Sequence, residues 1–129
     1  MTRNGIETNR APKAIGPYSQ GIAADGWIFT AGQLGLDPAT GELVAGGAAA
    51  EAEQALRNLD AVLEAAGSGL AHAVKTTVFL ADLSDYATFN EVYARHFKAP
   101  YPARSAVQVA RLPKDARVEI EVVARRSGS

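Results

Sequence analysis

Apolar residues recur along this chain at two different spacings, and the change of spacing marks out its elements. From Ala48 to Ala66, the residues Ala52, Ala55, Leu56, Leu59, Val62, Leu63 and Ala66 fall three or four apart, opposite Glu53, Arg57, Asp60 and Glu64. That pattern predicts an amphipathic helix, closed by Gly67 just past its end. A second stripe of Tyr86, Phe89, Val92, Tyr93, His96 and Phe97 predicts another helix, started by Asp82 or Ser84 and stopped by Pro100 and Pro102. Elsewhere the segments are short and rich in β-branched residues. Gly21–Ala24 and Trp27–Gln33 flank Asp25-Gly26, the pair favoured in a two-residue hairpin turn. Ala73–Leu80 reads as a third strand. Arg104–Arg111 and Arg117–Ala124, joined by residues 112–116, read as a second hairpin, followed by a polar tail from Arg125 to Ser129. Asp37-Pro38-Ala39-Thr40-Gly41 and Gly46-Gly47 are connecting turns.

The resulting element order is ββαβαββ, and no repeat, charge block or low-complexity tract divides residues 1–129, so a single domain is expected. A strand–helix–strand connection from Ala73–Leu80 to Arg104–Arg111 favours a parallel crossover, whereas hairpins are antiparallel, so the sheet is expected to be mixed. Both helices then cover the same face. The fold class is an α+β two-layer sandwich whose other sheet face has no cover from its own chain.

Alternation within the last two predicted strands suggests a site. If Val118, Ile120, Val122 and Ala124 face the helices, Glu119 and Glu121 point to the uncovered face. If Val107 and Val109 face the helices as well, Arg104, Ala106, Gln108 and Ala110 join the two glutamates there. With Glu119 opposite Gln108 or Ala110 in a hairpin, Arg104 lies at least four residues along the ladder, ~13 Å away at ~3.3 Å per residue. One small ligand cannot span that distance within one chain, so the pair is expected to meet across two chains. A closed homo-oligomer would cover the open face and create clefts between subunits together. The plainer alternative is that these charges are interface ion pairs.

Composition narrows the chemistry. The apolar fraction of 47% supports a real core, and thirteen Lys and Arg against fourteen Asp and Glu leave a net charge of -1, so neither a nucleic-acid nor a membrane partner is expected. The absence of cysteine excludes a disulfide framework and a thiolate nucleophile, and favours the cytoplasm. The polar start MTRNGIETNRAPK lacks the apolar core of a signal peptide, and no window approaches the length of a membrane span. His72 and His96 lie on different elements without acidic residues at ligand spacing, so no metal is expected. No glycine pattern of a phosphate-binding loop occurs, which argues against nucleotide cofactors. Tyr86, Phe89, Tyr93 and Phe97 are read as core, and Lys13 and Lys75 as solvated.

Several short motifs appear in a fixed order. They are Ala11-Pro12-Lys13-Ala14-Ile15-Gly16-Pro17-Tyr18-Ser19-Gln20; Gly32-Gln33 with Asp37-Pro38-Ala39-Thr40-Gly41-Glu42; Asn58-Leu59; Val74-Lys75-Thr76-Thr77-Val78; Asn90-Glu91-Val92-Tyr93; and Pro102-Ala103-Arg104-Ser105-Ala106-Val107, leading to Arg111-Leu112-Pro113 and Val118-Glu119-Ile120-Glu121. Over nearly its whole length the chain thereby resembles the RidA/YjgF/L-PSP family of reactive-intermediate deaminases, which hydrolyse 2-imino acids. The resemblance implies a chorismate-mutase-like trimer, in agreement with the sandwich, here with a mixed sheet expected to hold six strands.

It further implies a cofactor-free hydrolase converting small 2-imino acids such as 2-iminobutanoate and 2-iminopropanoate to 2-oxo acids and ammonia in clefts between subunits. Arg104 would hold the substrate carboxylate through a two-pronged guanidinium contact that lysine cannot reproduce. Glu119 would hold the attacking water. Tyr18, Gly32 and Asn90 match pocket positions, with glycine allowing close approach of the ligand. Ala31 and Ala106 occupy places where the better-known deaminases often carry Ser and Cys. Neither can be a nucleophile, but hydrolysis by water needs none. The competing readings are a non-catalytic module binding 2-oxo acids or related small carboxylates and, ranked below it, the ribonuclease or translation-inhibitor role attached to some relatives.

Overall fold

The computed structural model describes residues 2–127. Seven strands form one mixed sheet: β1 (Arg3–Ile6), β2 (Gly21–Ala24), β3 (Trp27–Thr30), β4 (Gln33–Leu34), β5 (Ala73–Leu80), β6 (Ala103–Gln108) and β7 (Val118–Arg125). Two helices, α1 (Gly47–Ala65) and α2 (Tyr86–Tyr93), complete the fold. The sheet order is β1-β2-β3-β7-β5-β6, with β4 also pairing β7. The α+β sandwich with both helices on one face is as expected, while the strand count rises from six to seven. The five segments read from the pattern become seven because Trp27–Gln33 divides into β3 and β4 and the polar N-terminal segment adds an edge strand, β1, which pairs antiparallel with β2 from Arg3↔Ala24 to Ile6↔Gly21. Among the described residues, no helix is long and apolar enough to cross a membrane.

The first hairpin forms at Asp25-Gly26, with φ of 52° and 81°, the left-handed pair that a type I′ turn requires. Its second strand does not run unbroken to Gln33. Phe29 pairs with Val123 and Gln33 with Ile120, so Thr30, Ala31 and Gly32 stand opposite only Val122 and Glu121. This is a β-bulge, and the Thr30 hydroxyl accepts the Val122 N–H at 3.0 Å in place of a ladder bond. The helix α1 ends as its sequence suggests, with Gly67 and Ser68 donating back to the carbonyls of Glu64 and Leu63. Asp82 accepts from the Ser84 N–H and caps a short 3₁₀ turn, Leu83–Asp85, leading into α2.

One expectation is overturned. The last two strands are not a hairpin: β5 lies between them, pairing parallel with β6 and antiparallel with β7. The parallel β5/β6 crossover does form. Its register, Thr76↔Arg104 and Val78↔Ala106, reverses the expected facing of β6. Thr76, Val78 and Leu80 are fully buried under the helices, so Arg104, Ala106 and Gln108 share their face, and Val107, 44% exposed, turns to the uncovered one. The alternation of β7 is as expected, with Val118, Ile120, Val122 and Ala124 in the core.

The core lies between the sheet and α1, whose Ala52, Ala55, Leu56, Leu59 and Leu63 meet Ile28, Val78, Leu80 and Ile120. Phe89, Val92, Tyr93 and Phe97 add the contribution of the α2 segment. Buried polar groups serve as struts: Asn58 donates to the carbonyls of Leu34 and Leu36, and Glu51 accepts the Arg117 N–H at 2.7 Å. Helix α1 approaches β4 so closely that a Cβ on Gly35 would stand 2.6 Å from the backbone of Glu51. Neither backbone can yield easily there. Gly35→Ala is therefore expected to lower stability by about 1–3 kcal/mol, read as a fall in the urea midpoint at unchanged slope.

Candidate active site

The residues singled out in the sequence separate into two groups on opposite faces of the sheet. The first surrounds Glu119. Because β7 alternates, Glu119 leaves the core face and points, half-buried, into a cleft of ≈ 360 Å³ bounded by Tyr18, Gly32, Leu36 and the 113–115 turn. The bulge brings Gly32 against it: a Cβ on Gly32 would lie 2.9 Å from the Glu119 carboxyl carbon and 3.0 Å from Oε2. Only glycine leaves the carboxylate where it is. Ala31, in the same bulge, is half-buried and donates its N–H to the Gln20 carbonyl at 2.9 Å.

Tyr18 enters on the loop before β2, with its ring 54% exposed and its hydroxyl accepting weakly from the Ile15 N–H at 3.4 Å. That loop is pinned by a residue whose role sequence reasoning missed. The buried Gln20 side chain accepts from the Thr8 N–H at 2.7 Å and donates to the carbonyls of Thr8, Ala11 and Pro12. Gln20 stood within a quoted motif, but only the tertiary path of the loop shows what its amide binds.

Burial pushes the Glu119 carboxyl above the ordinary glutamate range, and the neighbouring charge of Glu121 adds to the rise. Lys13 and Lys114 line the same cleft. Such a carboxyl takes up and releases a proton closer to neutrality than a solvated one.

The second group surrounds Arg104 on the helix face, at the edge strand β6. The guanidinium lies 4.7 Å from the Tyr93 ring centroid, 5.5 Å from that of Tyr86 and 5.7 Å from that of Phe89, and Nη2 donates to the Tyr86 hydroxyl at 2.8 Å. Among the described residues, no carboxylate stands within ion-pair distance of Arg104. A guanidinium resting on aromatic faces in this way keeps donors that an anion could accept from. Asn90, half-buried one turn beyond Tyr86, borders the same place. Ala106, two residues from Arg104 on the same face, packs against the main core. The expectation that Arg104 and Ala106 share the uncovered face with Glu119 is thus corrected, because the partner of Arg104 across the ladder is the buried Thr76.

The separation of Arg104 from Glu119 rests on stronger grounds than a hairpin allowed. Glu119 and Val107 both sit beside Phe79 in the β5 ladder, so Arg104 is three residues along and two strands over, ~14 Å away across the sheet by ordinary strand geometry. It also projects from the other face. Tyr86, expected in the core, is 40% exposed beside Arg104. His96 leaves the apolar stripe to bond Glu53 at 2.9 Å.

Residues 8–126 match the family model described as Endoribonuclease L-PSP, and the chain belongs to that family. It is 53% identical over 124 residues to the human 2-iminobutanoate/2-iminopropanoate deaminase, covering 96% of this chain and 90% of the human protein. Among solved structures it resembles TdcF of E. coli with bound serine, at a TM-score of 0.90 and 49% identity over 96% of this chain and 99% of that one. RidA from the Antarctic bacterium Psychrobacter sp. PAMC 21119 is similar at a TM-score of 0.91 and 48% identity, covering 95% and 98% of the two chains.

The electrostatics of Glu119 make a prediction of their own. A carboxyl whose folded pKa is raised binds protons that the unfolded chain has already released, so its penalty on the fold is present above the folded pKa and lifts as pH falls through it. Carbon-detected NMR titration is expected to place the Glu119 carboxyl above the ordinary glutamate range, and Glu121→Gln to lower it. Glu119→Gln is expected to unfold at equal or higher denaturant concentration than wild type at neutral pH.

Proposed function

We propose that this protein is a cofactor-free hydrolase that converts small 2-imino acids, such as 2-iminobutanoate and 2-iminopropanoate, to 2-oxo acids and ammonia. The observation that carries the reading is the pair of incomplete half-sites, an acid-free arginine on one face and a half-buried glutamate with a raised pKa on the other, in a chain 53% identical to human 2-iminobutanoate/2-iminopropanoate deaminase.

Neither half can act alone. Arg104 offers a fork for the substrate carboxylate but has no proton acceptor nearby, and Glu119 can take a proton from water but has nothing to hold the acid. Joining the Arg104 edge of one one-domain protomer to the Glu119 cleft of the next completes the site. A closed ring of three copies does this with one repeated contact and covers the open sheet face, where Phe29 and Val107 are 47% and 44% exposed. The assembly is a homotrimer, and the cysteine-free chain belongs in the cytoplasm.

In the joined site Arg104 fixes the carboxylate and so the adjacent imine carbon. Water adds to that carbon while Glu119 accepts one of its protons; the C=N π electrons move to nitrogen. Glu119 then returns the proton to nitrogen, giving the neutral carbinolamine; the hydroxyl proton next passes through Glu119 to that nitrogen as the C–N bond breaks, so ammonia leaves with the bonding electrons and the 2-oxo acid forms. One water enters, one ammonia departs, and no covalent bond to the protein is made. Ala31 and Ala106 are compatible with this route because it needs no nucleophilic side chain. Tyr18, Gly32 and Asn90 shape the walls.

Ammonia or 2-oxo acid release from an imine generated in situ by an amino-acid oxidase tests the reading. Acceleration by wild type is expected, with Arg104→Ala and Glu119→Gln each losing roughly 10²–10⁴-fold. Equal rates with and without the well-folded wild type would sink it. The shared site has its own test: refolding those two variants together in equal amounts should restore about a quarter of wild-type activity, one half times one half per interface, while each alone stays inactive. Light scattering should give three chains per particle. Gly32→Ala should fold normally, because only the end of the Glu119 side chain must move, yet lose roughly tenfold or more in kcat/KM through displacement of that carboxylate.

A further inference from the structure

Tyr86 sits in the aromatic stripe of α2 but does not behave as its neighbours do. Phe89, Tyr93 and Phe97 are buried, whereas Tyr86 is 40% exposed and carries its hydroxyl to the guanidinium of Arg104. Tyr93 spends its own hydroxyl on Thr76 at 2.8 Å, inside the core. Tyr86 therefore presents the phenol nearest to the arginine's free donors.

The direction of that hydrogen bond matters. A guanidinium has five N–H donors and no acceptor, so the Tyr86 oxygen accepts from Nη2 and keeps its own proton. That proton must point to an acceptor other than Arg104. An anion held on the remaining donors of the fork places an oxygen there, within reach of the phenol. The same contact restrains the guanidinium, whose central carbon already lies within cation–π distance of the Tyr93 and Phe89 rings.

We propose that Tyr86 is a second ligand of the substrate carboxylate, donating its O–H to one carboxylate oxygen while its own oxygen holds the Arg104 fork in place. This deepens the deaminase reading and rests on it, and it makes the site selective for a carboxylate over an amide or ester. A neutral carbonyl would accept the phenol's proton but would lose the charge-assisted bonds to Arg104.

The surroundings of Tyr86 supply a readout that packing would not move. The side chain of Asn90, and after it the charge of Arg104, hold the Tyr86 phenol below the ordinary tyrosine range. Of the other ionisable groups nearby, Asp85 is paired with Arg117 at 3.0 Å, and burial pushes the Tyr93 phenol upward. At alkaline pH Tyr86 ionises, loses the proton that it donates and repels a bound carboxylate.

The test is calorimetric titration with 2-oxobutanoate, an unreactive probe of the carboxylate contact, on wild type and Tyr86→Phe across neutral to alkaline pH, beside the imine assay. Phenylalanine keeps the ring, so the fold and the shelf under Arg104 are retained. Tyr86→Phe is expected to bind the probe about tenfold more weakly at neutral pH, to raise KM with kcat within about twofold, and to lose the weakening that wild type shows as pH rises. Unchanged affinity and an unchanged alkaline profile in Tyr86→Phe, with wild type active, would overturn the assignment of Tyr86 alone. A fall in kcat at constant KM would overturn it as well. A wild type that neither binds the probe nor accelerates hydrolysis would overturn the underlying reading, and the role of Tyr86 with it.

Discussion

Successive residues of a strand project to opposite faces of its sheet, and in this protein that alternation governs everything built upon it. In β7 it commits Val118, Ile120, Val122 and Ala124 to the core and so sends Glu119 and Glu121 outward. In β6 the same rule, applied through the register with β5, sends Arg104 to the helix side, since its ladder partner Thr76 is fully buried. The two charged residues on which the proposed chemistry depends are therefore divided by the sheet itself. No rotamer of either side chain can bring them together within a chain, which is why the reading of function and the reading of assembly stand or fall as one.

Around these positions the chain uses local irregularity rather than regular structure. A one-residue bulge after β3 brings the backbone at Gly32 against the Glu119 carboxylate, and the Thr30 hydroxyl takes up the ladder donor that the bulge leaves free. The Gln20 amide plays a similar part for the loop that carries Tyr18, satisfying backbone groups that would otherwise be buried without partners. On the other side, α2 contributes an aromatic bed for a cation that pairs with no acid among the described residues. Burial acts differently on the two half-sites: it raises the pKa of the Glu119 carboxyl, whereas on the Arg104 side it provides aromatic surface under the guanidinium.

The helices and most of the strands were legible because each carries its own periodicity. Residues 48–66, Ala73–Leu80 and the Asp25-Gly26 turn lie within a residue or so of where their patterns put them. The edge strand β1 was not legible, because Arg3–Ile6 is polar and mostly exposed, with no alternation to betray it. The supposed last hairpin failed for a related reason: Arg104–Gln108 alternates weakly, small and polar residues occupying both faces of an edge strand. With nothing strongly apolar to anchor its facing, the pattern places Val107 in the core, whereas it belongs to the open face.

Fold class, family and the residue types of the candidate site were readable from the chain alone, since periodicity, turn chemistry and ordered motifs are local properties that survive without coordinates. It took the folded arrangement to show that β5 separates β6 from β7, that Arg104 and Glu119 occupy opposite faces, and that Tyr86 leaves the core to meet the guanidinium. Strand order and register are set by contacts between segments far apart in the chain, and a shift of one residue there reverses the face on which every side chain emerges.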